Sequence, residues 1–198
     1  MNDTGPYNPS LIHDFALWID SHAWSTALHE SLWVYPLVES THVLTLMLFV
    51  GMLAMVDLRM LGLAFRHTPV SEMTARILPW SVAGFVIMVC TGVLLFYAIP
   101  VRTAHSIWFR VKVILLIVAA INAWWFHKRV SRDRERWDSQ PKPPLNVRLT
   151  AALSLATWSG VIVAGRMIAY NWFDCDRPQS AFITWAAGCA VELQAEAG

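Results

Sequence analysis

Lysine and arginine are absent from the first 58 residues of this 198-residue chain, and charged residues of every kind make up only 15% of it. An ordinary soluble domain carries more charge than that. A net charge of +1 provides no basic surface for nucleic acid, so a nucleic-acid partner is excluded. The amino terminus also lacks a basic region followed by a short apolar run and a cleavage site, which predicts that no removable signal peptide is present. The first crossing helix must then direct insertion itself. What the chain has instead is apolar bulk: 56% of its residues are hydrophobic, which marks a membrane protein, and 198 residues leave no room for a separate soluble domain of normal size. Several of the eleven tryptophans, Trp33, Trp80, Trp108, Trp124, Trp125 and Trp172, fall near expected span ends and read as interface anchors.

The rest of the chain is organised around Glu39 to Val56, a run apolar enough to cross a bilayer that carries a carboxylate and an imidazole near its start. Helical spacing gathers Glu39, His42 and Thr45 on one side, and Asp57-Leu58-Arg59 marks the far surface. Four spans are predicted, at about 33–56, 79–99, 105–126 and 147–170, giving an all-α integral membrane four-helix bundle. Pro79 is expected at the first turn of the second span and Pro100 just past its end. Gly84, Cys90, Thr91 and Gly92 in that span admit close approach by a helix backbone or a flat ligand.

Before the spans, residues 10–32 alternate apolar and polar side chains at helical spacing, which predicts one or two amphipathic helices lying on the membrane surface. They carry His13, His22 and His29, the last two seven residues apart on one face. After the spans, Ala181 to Val191 is apolar but too short to cross. Basic residues cluster after the first span (Arg59, Arg66, Arg76) and after the third (Lys128 to Arg148), so the positive-inside rule makes both loops cytoplasmic and both termini periplasmic in a bacterial inner membrane. Cys175 and Cys189 then share an oxidising compartment, where a disulfide would pin the tail 173–198.

This topology brings Glu39, His42, Arg110, Lys112 and Arg166 to the periplasmic half. One reading is a Glu39–Arg166 ion pair that fixes helix register, with His42 hydrogen-bonded to a neighbouring helix and Arg110 and Lys112 reaching lipid phosphates. The other is a b-type haem site, with His42 as axial ligand, His105 at the head of the third span as the second, and Arg110, Lys112 or Arg166 pairing with propionates. His67 and His127 lie at the opposite end and read as interfacial residues. His22 and His29 offer a copper site instead, since imidazole suits copper.

The motifs Glu39-Ser40-Thr41-His42, Asp57-Leu58-Arg59, the Lys112-to-His127 helix with Asn122, and Gly165-Arg166-Met167-Ile168-Ala169-Tyr170 resemble those of an uncharacterised family of small four-span bacterial inner-membrane proteins, over roughly residues 33 to 172. The design is also similar to copper-resistance protein D and to the four-helix b-type cytochromes, although the second and fourth spans lack the mid-span histidines of the latter. The resemblance implies a membrane-embedded electron-transfer or anchor subunit that binds haem b and works between a periplasmic redox partner and quinone. The alternatives are a periplasmic copper-handling or transport protein, and a structural subunit of a larger membrane complex.

Overall fold

A computed structural model describes the chain over residues 6–170, 173, 175 and 178–190, and every regular element among them is a helix. Trp172 and the end of the tail, which the sequence assigns to the membrane surface, lie outside the described residues. In chain order the helices are α1 (Leu11–Asp20), α2 (Ala23–Glu30), α3 (Val34–Leu61), α4 (Val70–Ala98), α5 (Pro100–His105), α6 (Ile107–Trp125), α7 (Arg134–Trp137), α8 (Leu145–Met167) and α9 (Ala181–Ala187). Four of them, α3, α4, α6 with its continuation to Arg129, and α8 with its continuation to Tyr170, are long and apolar enough to cross a membrane. Leu44, Met47, Val86, Ile114, Ile117, Ile121 and Leu149 are exposed on these helices, the arrangement expected where lipid rather than water is the neighbour. The chain is an all-α, multi-pass membrane protein.

The span boundaries differ from expectation in three places. α3 runs on to Leu61, because Gly62, at φ +72°, supplies the left-handed residue that stops it. The Leu63 amide reaches back to the Leu58 carbonyl and the Gly62 amide to that of Arg59, which closes the last turn in a Schellman motif. Asp57 and Arg59 are therefore inside the helix, and both are buried rather than at a surface. α4 begins at Val70 and not at Pro79, which sits within the helix. Asp138, distant in sequence, caps that start: its carboxylate accepts from the Ser71 amide (2.8 Å) and hydroxyl, and its carbonyl from the Val70 amide. Finally, His105 does not head the third span. Pro100 opens the separate helix α5, His105 ends it, and α6 starts at Ile107.

Two units divide the chain. One comprises Met1–Leu37, Val93–Val113 and Ile162–Gly198; the other comprises Val38–Gly92 and Ile114–Val161. In the second unit all four long helices contribute to one core, where Met88, Ala119, Trp158 and Val161 are buried against Leu46, Phe49, Val50, Leu53, Leu115 and Leu116. Gly160 lets Leu115 close in: a Cβ on it would lie 3.0 Å from the leucine side chain. A further cluster of Met60, Val70, Trp137, Val147 and Ala151 packs beside Val56, Leu61 and Phe126.

In the first unit the amphipathic segment does form two helices. α1 is capped by Ser10, whose hydroxyl accepts from the His13 amide, and it buries His13, Ala16 and Ile19 while Leu11, Ile12, Phe15 and Trp18 stay exposed. α9 has seven residues, too few to cross, and ends at Gly188 with φ +73°. Cys175 and Cys189 form the expected disulfide, packed with Ala187, Tyr7 and Ile107.

Candidate functional site

His42 lies in the second unit, half-buried on α3. Its Nδ1–H donates to the Met88 carbonyl and to the Thr91 hydroxyl oxygen, both at 3.0 Å on α4. A carbonyl only accepts, so Nδ1 carries the proton and Nε2 is the lone-pair nitrogen. Thr91 is itself tied down, its hydroxyl donating to the Ile87 carbonyl at 2.8 Å. The close approach needs Gly92, where an added Cβ would stand 3.2 Å from Cε1 of the imidazole. The ring is thus fixed in the tautomer that metal-ligating histidines adopt, with the other N–H held by an outer partner. Glu39, one turn earlier on α3, is exposed.

His105 belongs to the first unit, and both of its ring nitrogens are engaged. Nδ1–H donates to the Ala187 carbonyl (2.8 Å), which leaves Nε2 to accept from Nδ1–H of His13 (3.1 Å). Tyr7 stacks on the His105 ring with centroids 4.0 Å apart, and a Cβ on Gly188 would lie 3.6 Å from its Nδ1. The site to which the sequence assigned an axial ligand is therefore a protein–protein hydrogen-bond chain that joins α1, α5 and the turn after α9. Burial holds the His105 imidazole below the ordinary histidine range, and the nearby His13 and Arg110 push the same way against the Ala187 hydrogen bond. His13, one of the histidines of the amphipathic segment, is fully buried. Its Nε2 has no partner.

The basic candidates of the first unit take separate positions. Arg110 donates from Nε to the Ala104 carbonyl at 3.3 Å and from Nη1 to that of Ala186. Lys112 packs against Gly165, its ammonium 3.7 Å from where a Cβ would sit. Arg166 is exposed, with its guanidinium 5.5 Å from the centre of the Tyr170 ring. His22 precedes α2, its Nδ1 2.8 Å from the Trp18 carbonyl, and His29 is exposed near the other end of that helix, its ring against Tyr35. Seven residues of helix separate these two by about 10 Å along the axis. Among the described residues no three His, Cys, Asp or Glu side chains gather to hold a metal. His67 and His127 are exposed.

Sequence reasoning missed the two buried charges at the end of α3. The Arg59 guanidinium donates to the carbonyls of Thr68 (2.6 Å), Asp138 and Gln140 (3.1 Å each), and so ties together the two loops that follow α3 and α7. Asp57 faces Ser154 on α8 and is 1% exposed. Their spacing in the sequence signals a helix end, and only the Gly62 stop displaces that end far enough to bury them.

No curated protein and no solved structure matches the chain. Residues 33–171, which hold all four long helices, match DUF6644, a family of unknown function, and the chain belongs to that family.

Proposed function

We propose that this protein is a membrane-embedded electron-transfer or anchor subunit of the bacterial inner membrane that binds haem b through His42. The observation that carries the reading is the fixing of His42: within a span, its Nδ1–H is held by Met88 and Thr91, with Gly92 cleared beside it. Polar groups at that depth are costly unless they are partnered, and the hydrogen bonds that partner this imidazole to α4 also fix its orientation. When bound, haem would supply one-electron redox chemistry, and His42 would hold its iron. Both ring nitrogens of His105 are engaged by Ala187 and His13, so His105 has no part in holding it. The basic residues around Arg59–Arg76 and Lys128–Arg148 orient the bundle with His42 in its periplasmic half, which suits exchange between a periplasmic redox partner and quinone.

The test is the visible spectrum of detergent-purified protein expressed with ample haem precursor. A reduced b-type α-band is expected, lost in His42→Ala and kept in His127→Ala. A colourless wild-type protein sinks the proposal, and copper found in its place by metal analysis selects the copper-handling alternative.

A further inference from the structure

The haem reading makes no use of Asp57, and the carboxyl has no ordinary structural explanation. It is 1% exposed on α3, and the Ser154 hydroxyl of α8 is its hydrogen-bond partner. Oδ2 is buried with no partner at all. Around it α8 presents further buried hydroxyls on the same face, Thr150, Ser154 and Thr157, and Asn122 of α6 donates to the Thr150 carbonyl at 3.1 Å.

Other charged groups of this unit have partners on more than one side. Arg59, just as buried, distributes its charge over three carbonyls from Nε and Nη2, although its Nη1 has no partner. Glu72 pairs with Arg76 at 2.7 Å in an exposed position, and Asp138 caps the start of α4. Asp57 has neither cation nor cap: among the described residues no basic side chain forms an ion pair with it, and its hydrogen-bond partner is the Ser154 hydroxyl. An ionised carboxylate taken out of water without a counter-charge is far more costly than the neutral acid, and the Ser154 hydroxyl can donate to the carbonyl oxygen of that acid.

We propose that Asp57 is a proton-binding site within the membrane domain, its substrate being the proton itself. Oδ2 carries the proton, Oδ1 rests on Ser154, and release leaves the carboxylate and one H⁺ with no other bond changed. The site stands or falls independently of the haem.

Infrared difference spectroscopy of the purified full-length protein tests this. At neutral pH the wild type should show the carbonyl stretch of a protonated carboxylic acid that moves to lower frequency in D₂O and is missing from Asp57→Asn. Ser154→Ala should keep that band at higher frequency, because a hydrogen bond to the carbonyl has gone. If Asp57→Asn does not fold, the Ser154→Ala shift decides alone. The proposal is overturned by a wild type without the band, by a band that survives Asp57→Asn, by an unshifted Ser154→Ala, or by a spectrum that depends on Na⁺ and so reports a cation-bound carboxylate.

Discussion

A histidine that donates from one ring nitrogen and accepts at the other has no room for a second proton. His105 is in that position between Ala187 and His13, and protonating Nε2 would set two N–H groups against each other beside Arg110. Because its folded-state value lies below the ordinary 6.5, the unfolded segment binds a proton more readily than the folded one. The stabilising contribution of the neutral ring is complete above about pH 6.5 and declines as the pH falls below it. Hydrogen exchange read at α1 and α9 should therefore show faster local opening at pH 5.5 than at 7.5, after correction for intrinsic rates. His105→Gln should abolish the difference; equal protection in the wild type at both pH values would refute the argument. At this scale the sequence was partly legible. His42 announces itself because a lone imidazole in an apolar run is conspicuous. The burial of His13 does not, since it depends on a partner 92 residues away and on a turn after α9 that no local pattern places there.

The four long helices were legible as elements because each is a hydrophobic run with almost no charge, and hydropathy is a local property. Their ends were not, because each was decided by something remote or conditional. The cap of α4 comes from Asp138, 67 residues from Ser71, and this outweighs the local signal of Pro79. The stop of α3 comes from Gly62, which also has to be glycine on steric grounds, as a Cβ there would lie 3.0 Å from the Pro141 carbonyl. The same contact region is held by Arg59, whose removal tests how the loops are tied. Arg59→Ala strands three carbonyls that are now bonded to a cation, at a cost of about 3 kcal/mol or more. It should lower the thermal midpoint and speed proteolysis between residues 62 and 69 and between 138 and 144. Arg59→Lys should recover little, because a single ammonium does not reproduce the guanidinium fork that meets three carbonyls. Unchanged cleavage in the alanine variant would show that the loops are held by other contacts.

For the molecule as a whole, an even number of crossings puts the two ends of the membrane domain on one side, and the charge distribution chooses which. No lysine or arginine precedes Arg59, while Arg66 and the run from Lys128 to Lys142 fall in the two segments that join α3 to α4 and α6 to α8, and Arg76 and Arg148 lie near the starts of α4 and α8. Moving one positive charge outward against the membrane potential costs about 2.3 kcal/mol per 100 mV, which favours an orientation with both basic segments inside. The disulfide between Cys175 and Cys189 agrees with this placement, since such a bond persists in an oxidising compartment. A reporter active only in the cytoplasm should therefore be silent when fused after Gly198 and active when inserted near Ser139. The reverse pattern would put His42 in the cytoplasmic half and Asp57 toward the periplasm; activity at both positions would take α8, the long helix between them, out of the membrane.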